Sequence, residues 1–206
     1  MNPYKLYLVT DDQQDIETLQ YVVNEAVKGG VTMVQVREKH GDVRAFIERA
    51  QVVKEILSKT NVPLIINDRV DVALAVDADG VHLGQSDMPA DIARTLIGPN
   101  KILGLSIENE VQLKEVASLP VDYIGLSAIF ATPTKTNTNT KKHWGIEGLQ
   151  AALKTTSLPI VAIGGINETN IPQLCVTGVH GLALVSAICH ADEPKHASQH
   201  LLSLMG

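Results

Sequence analysis

The chain has 206 residues, 45% hydrophobic and 19% charged, with a formal net charge of -6. That is enough apolar material for a sizeable core within one domain spanning 1–206. The acidic balance excludes a broad nucleic-acid surface, which needs a basic patch; it does not exclude a small anionic ligand held by a few converging cations. No apolar run is long enough to cross a bilayer, and the start MNPYKLYLVTDD reaches an acidic pair before any signal-like stretch develops, so a soluble, cytoplasmic protein without a membrane partner is expected. Cys175 and Cys189 form no CxxC or Cys/His cluster and read as reduced structural thiols.

A repeated grammar follows: a short β-rich apolar run, a polar break, then an amphipathic segment of helical period. LYLVTDD precedes a segment with Ile16, Leu19, Val22, Val23, Ala26 and Val27 on one face, which stops at Gly29-Gly30. VTMVQVREK leads to Asp42 as an N-cap and to the stripe Phe46, Ile47, Ala50, Val53 and Leu57. VPLIIND is followed by RVDVALAV, then DGVHLGQSD by PADIARTLI, with a proline near its first turn. KILGLS precedes ENEVQLKEVA. VDYIGLSAIF runs into the tract FATPTKTNTNTKK, with five threonines and three lysines, before IEGLQAALKT. LPIVAIGG precedes INETNIPQLCVTG, and HGLALVS precedes a short AIC turn and a last helix from Pro194 to Leu204.

Roughly eight such units in roughly 200 residues predict an α/β fold, a (β/α)8 TIM barrel of parallel strands and outer helices. An open doubly wound sheet fits less well, because no GxGxxG joins the first strand to its helix.

In such a barrel the loops after the strands carry the chemistry. Those positions hold Asp11 and Asp12; Gln35, Arg37 and Lys39; Asn67 and Asp68; His82, Gln85 and Asp87; Ser106 and Glu108; Thr132, Thr134 and Lys135; Gly164 and Gly165; and Ser186. Gly164 and Gly165 either let main-chain N–H groups approach an anion at a helix start or simply permit a tight turn; Val185-Ser186 is a second candidate helix start. Asp68 and Asp87 are two oxygen ligands for magnesium or two ordinary helix caps, and the cations Arg37, Lys39 and Lys135 favour a metal diphosphate site. Arg37 and Lys39 alternate at a strand end and are expected on one side. His82 reads as a packed, hydrogen-bonded strand histidine before a base. No nucleophile motif is visible, which favours transfer chemistry assisted by metal and electrostatics.

VQVREK, LIINDRVDVALAVDADGVHLGQSDMP, YIGLSAIFATPTKT, VAIGGI and ALVSAI, in this order, resemble the thiamine-phosphate synthase family over nearly the whole chain. The resemblance implies a (β/α)8 barrel that joins a hydroxymethylpyrimidine diphosphate to a thiazole phosphate, releases pyrophosphate and uses Mg2+. By the same resemblance Gln35, Val36, Arg37, Glu38, Lys39, Asn67, Ser106 and Lys135 meet the pyrimidine diphosphate, with Lys135, Arg37 and Ser106 as the catalytic set. Asp68 and Asp87 hold the metal. Thr132, Pro133, Thr134, Gly164, Gly165, Val185 and Ser186 meet the thiazole phosphate. The family's reaction is dissociative, with the thiazole nitrogen capturing a pyrimidine cation. Relatives often read GLGPIF where this chain has GLSAIF, so a different backbone path is expected at the base of the tract. Thr132 to Lys135 is expected to be the working half of the tract and Thr136 to Lys142 a mobile lid. The partners implied are small phosphorylated substrates; oligomeric state is not legible. A thiazole tautomerase-like barrel, a sugar-phosphate isomerase or aldolase with a strand-end lysine, and a non-catalytic phosphate-ligand sensor are the alternatives.

Overall fold

A computed structural model describes residues 2–132 and 143–206. Eight parallel strands close in chain order: β1 (Leu6–Val9), β2 (Met33–Val36), β3 (Leu64–Asn67), β4 (Gly80–Leu83), β5 (Ile102–Ile107), β6 (Tyr123–Ser127), β7 (Ile160–Ile163) and β8 (Gly181–Leu184), with β8 pairing back to β1. The helices α1 (Ile16–Lys28), α2 (Val43–Leu57), α3 (Val70–Ala75), α4 (Ala90–Ile97), α5 (Glu110–Glu115), α6 (Gly145–Thr155), α7 (Ile171–Cys175), α8 (Ser186–Cys189) and α9 (Pro194–Leu204) follow the strands. The TIM barrel predicted from the eight βα units is the fold.

The local reasons are the ones the sequence suggests. Asp42 caps α2 by accepting from the Ala45 amide at 2.9 Å, and Asp15 caps α1 in the same way from Thr18 at 2.8 Å; such caps are each worth about 1 kcal/mol. Gly29 follows α1 directly and sits at its C-cap. Pro89 occupies the N-cap of α4, one residue before the first helical turn in which it was expected. Among the described residues, no helix is long and apolar enough to cross a membrane.

Strand side chains alternate between two environments, as a pleated strand requires. Leu6, Leu8, Val34, Val36, Leu64 and Ile66 face outward into the layer shared with the helices. Tyr7, Val9, Met33, Ile65, Tyr123, Val161 and Ala183 fill the interior. The buried polar residues Gln35, Asn67, His82 and Ser106 keep the interior spacing, two residues on from Met33, Ile65, Gly80 and Gly104. Hence the barrel closes on apolar side chains toward the strand N-termini and on polar ones toward the C-termini, where the loops begin.

Candidate active site

The β1 and β2 ends form one charged corner. Thr10 is buried, and its Oγ1 accepts from the Arg37 amide at 3.1 Å, fixing where the chain leaves β2. Asp12 accepts from the Lys39 amide at 3.0 Å and lies 3.9 Å from the Arg37 guanidinium. Burial opposes the ionisation of Asp12, but hydrogen bonds from Gln13 and Lys39 and the charge of Arg37 outweigh it and hold its carboxyl below the usual range. Strand β2 ends at Val36, and beyond it Arg37 and Lys39 engage different carboxylates, Arg37 facing Asp12 and Lys39 in an ion pair with Asp68.

Asp68 and Asp87 meet at the ends of β3 and β4. Neither is a helix cap: Arg69 and Pro89 occupy those positions. Asp68 instead adopts φ 63°, a left-handed conformation uncommon for a side-chain-bearing residue. Its amide donates to the His82 carbonyl at 2.8 Å. Asp87 accepts from the Gly84 amide at 2.7 Å. Burial raises the Asp87 carboxyl, and the facing Asp68 raises it further against the smaller opposing effects of Gly84 and Lys39. Two carboxylates that resist joint ionisation are a donor set suited to a divalent cation, and magnesium needs only one or two beside water and phosphate oxygens. No cluster of three or more His, Cys, Asp or Glu suited to a metal occurs among the described residues. A cavity of about 270 Å³ opens here, lined by Lys39, His40, Asp42, Asp68, Arg69 and Asp87 among others.

The interior polar side chains lie beneath this corner. Gln35, His82 and Ser106 are buried and hydrogen-bonded, His82 through both ring nitrogens to Tyr123 at 2.8 Å and Ser106 at 2.9 Å. The packed reading of His82 therefore fits, with a site residue as one partner. Asn67 Nδ2 is buried without a hydrogen-bond partner among the described residues. A sealed donor of that kind costs about 1–3 kcal/mol unless something else satisfies it, so Asn67 is itself a pointer to a ligand.

Val36 and Glu38 send their side chains elsewhere. Val36 is fully buried in the strand–helix layer. Glu38 accepts from Arg49 Nε at 2.5 Å, and burial raises its carboxyl in spite of that partner. Contact from Val36 to a ligand at the mouth is therefore a main-chain matter, while the Glu38 carboxylate works as a brace. Arg49, which lies within α2 and at no strand end, also donates to the carbonyls of Gln14 at 2.6 Å and Asp11 at 3.3 Å. Its signal is a charged residue within the apolar stripe Phe46, Ala50, Val53 and Leu57. Tyr7 and Tyr123 are also missed; their signal is a hydroxyl at an inward-facing strand position.

The other side of the mouth is built from small residues and main chain. The β6 end runs along β7, with Ile129 donating to the Ile163 carbonyl and Phe130 to the Gly164 carbonyl, each at 3.0 Å. The Ser127-Ala128 peptide is cis, at the position where this chain departs from GLGPIF. Trp144 folds back on this segment, its amide donating to the Ala128 carbonyl at 3.1 Å. Gly164 and Gly165 have φ of 100° and 67°, and a Cβ on Gly165 would stand 2.5 Å from the Ala131 carbonyl oxygen. Close packing thus accounts for both glycines. The helix start expected behind them is displaced: α7 begins at Ile171, after five intervening residues. Val185-Ser186 does lead directly into α8. Thr132 stands at the edge of this wall, half-buried. Pro133, Thr134, Lys135 and the Thr136 to Lys142 segment lie outside the described residues.

Neither cysteine is placed as a nucleophile. Cys189 is buried, which pushes its thiol up to about 12, and burial also raises Cys175.

Comparison with known proteins bears on the whole barrel. A family profile described as thiamine monophosphate synthase matches residues 6–188. A curated relative from Vibrio campbellii, named thiamine-phosphate synthase, is 82% identical over 205 residues, covering 100% of both chains. Another so named, from Methanobrevibacter smithii, is 48% identical over 199 residues, covering 96% of this chain and 93% of its own. Among solved structures, a thiamine phosphate pyrophosphorylase from Pyrococcus furiosus aligns with TM-score 0.88 at 35% identity, covering 99% of this chain and 96% of that one. A 3-hexulose-6-phosphate synthase aligns with TM-score 0.75 at 17% identity over 97% of this chain and 99% of that one, a likeness of fold alone.

Proposed function

The chain belongs to the thiamine monophosphate synthase family, and from that premise we propose that it joins hydroxymethylpyrimidine diphosphate to thiazole phosphate, giving thiamine phosphate and pyrophosphate by a Mg2+-assisted dissociative substitution. The observation that carries this reading is the Asp68–Asp87 pair, with Lys39 bonded to one carboxylate and Arg37 on the adjoining loop.

The bond between the pyrimidine methylene carbon and the diphosphate oxygen breaks, its electron pair leaving with pyrophosphate; the thiazole nitrogen then supplies the pair for the new carbon–nitrogen bond. Asp68 and Asp87 are the residues that would hold Mg2+, which when bound neutralises charge building on the departing diphosphate. Arg37 and Lys39 add fixed positive charge at the same corner, where it acts most as charge separates. Asn67 has a buried amide donor to spend on a ligand. Gln35 and Ser106 face the pyrimidine from the interior. Main-chain N–H groups at Gly164, Gly165, Val185 and Ser186, with Thr132, Pro133 and Thr134, take the thiazole phosphate, while Lys135 meets the diphosphate.

His82 and Ser106 have the spacing of a base and its nucleophile, 2.9 Å. Their third member is the Tyr123 phenol on His82 Nδ1, where a Ser-His-Asp triad has a carboxylate. A dissociative route needs no protein nucleophile. Incubating the protein with both phosphorylated precursors, with and without Mg2+, tests the proposal. Thiamine phosphate and pyrophosphate in equal amounts, only with the metal, are expected; absence of product with Mg2+ present overturns it.

A further inference from the structure

Five buried polar side chains form one hydrogen-bonded line across the barrel interior, from β2 to β5. Gln35 Nε2 lies 2.7 Å from Tyr7 Oη, Tyr7 Oη 2.9 Å from Tyr123 Oη, Tyr123 Oη 2.8 Å from His82 Nδ1, and His82 Nε2 2.9 Å from Ser106 Oγ. The barrel makes room for it. A Cβ on Gly104 would stand 2.3 Å from Tyr123 Cζ and 2.4 Å from His82 Nδ1, and one on Gly125 3.0 Å from His82 Cε1. Both ends of the line are side chains assigned above to the pyrimidine diphosphate, while its three middle members have no role in the reaction as described.

The line has a direction. An amide nitrogen only donates, so Tyr7 Oη accepts from Gln35. Among the described residues Tyr7 Oη is otherwise bonded only to Tyr123, so the Tyr7 hydrogen goes there, and the Tyr123 hydrogen goes on to His82 Nδ1. His82 then carries its proton on Nε2 and donates to Ser106 Oγ. The hydroxyl hydrogen of Ser106 must point away from His82. At the other end, β2 sets Gln35 opposite Val9, one layer nearer the mouth than Tyr7. With its nitrogen held toward Tyr7, the amide turns Oε1 the opposite way. Running the line in reverse would leave the Tyr7 hydroxyl hydrogen buried without an acceptor. Burial raises both phenols above their usual range, so both remain donors.

We propose that Tyr7, Tyr123 and His82 are positioning residues whose one-way hydrogen-bond line presents Gln35 to the pyrimidine as an acceptor and Ser106 as a donor. The inference rests on the proposed function for what occupies the mouth. An aminopyrimidine offers an amino donor beside ring-nitrogen acceptors, the complement of that pair, whereas an oxo analogue offers an acceptor where Gln35 needs a donor. The line would therefore set specificity for the amino form as well as orientation.

The test uses Tyr7→Phe, Tyr123→Phe and the double variant, with Tyr4→Phe as the matched control. The Tyr4 ring lies 4.9 Å from that of Tyr123, and its hydroxyl is outside the line. Each single line variant should raise KM for the aminopyrimidine diphosphate about ten-fold and narrow the preference over the oxo analogue by a similar factor, the effect of one lost buried hydrogen bond. The kcat should stay within about two-fold, because the lost contact is made equally in ground and transition states; a smaller folded fraction would instead lower kcat and leave KM alone. The double variant should be no worse than the singles, because a line cut twice is still one line. In the ligand-free protein, nitrogen NMR of His82 at neutral pH should report the Nε2–H tautomer, becoming mixed in Tyr123→Phe. An Nδ1–H tautomer in the unmodified protein, or unchanged KM and unchanged amino-over-oxo preference in Tyr7→Phe, overturns the inference. Should the unmodified protein make no thiamine phosphate, the proposed function fails, and the tautomer and its response to Tyr123→Phe still decide the line.

Discussion

The two sides of the barrel mouth are built on different principles. From β1 to β5 the rim carries charged and amide side chains in specific pairs: Arg37 with Asp12, Lys39 with Asp68, and Asp87 beside Asp68. From β6 to β8 the described residues offer small side chains and main chain, with Gly164 and Gly165 pressed against Ala128, Phe130 and Ala131. In the proposed reaction the first side would meet the diphosphate and its cation, and the second the single phosphate of the other substrate. A difference of this kind predicts that substitutions on the first side act on chemistry, while those on the second act on shape.

The sharpest way to break that contrast is Asp87→Ala. Its carboxylate accepts one amide bond, from Gly84, so the fold should persist. If Asp87 holds the metal as proposed, its loss should lower kcat/KM by about 100-fold or more and remove most of the response to Mg2+. Steady-state rates across a magnesium titration check this; near-normal activity would reduce Asp87 to a brace for the Gly84 turn.

Arg49→Met comes next and separates positioning from chemistry on the same side. It leaves the Glu38 carboxylate and the Gln14 and Asp11 carbonyls without their shared cation, and both partners of the ion pair are about nine-tenths buried. Removing one member of such a pair costs about 3 kcal/mol. Denaturant unfolding should show that loss; the Mg2+ response should survive in whatever remains folded. An unchanged midpoint would mean Glu38 simply protonates at no cost.

What the sequence made legible follows the same division. Short apolar runs identified all eight strands, and residue chemistry identified the helix end at Gly29 and the cap at Asp42, because each is decided within a few residues. Strand-end position picked out Gln35, Asn67, Asp68, Asp87 and Ser106, since a parallel barrel sends every strand C-terminus to one rim. Contacts set by tertiary closure were not legible. Tyr7 meets Tyr123 across 116 residues and Arg49 meets Glu38 across 11, and nothing local marks either pair. The left-handed turn at Asp68 was likewise hidden, because it is fixed by the bond from its amide to β4 rather than by a glycine. The Gly164-Gly165 pair was legible as a turn, yet its reason, the approach of the β6 end, comes from a segment more than thirty residues earlier in the chain.

Gly165→Ala tests the second side. The new Cβ would meet the Ala131 carbonyl oxygen at 2.5 Å and Phe130 Cβ at 2.8 Å, at φ 67°. Left-handed strain and the forced shift together should cost about 1–3 kcal/mol, a fall in Tm of about 2–12 °C for a chain of this size. KM for thiazole phosphate should rise with little change for the pyrimidine diphosphate. A smaller effect is expected from Ser186→Ala. Val185, not Ser186, is the N-cap of α8, and the Ser186 amide would survive the substitution. If the phosphate is held there by main chain alone, KM for thiazole phosphate should change by less than about three-fold, the scale of a lost exposed hydroxyl contact. A ten-fold rise would make the hydroxyl itself a ligand, and the β6–β8 side would then bind through side chains as the opposite side does.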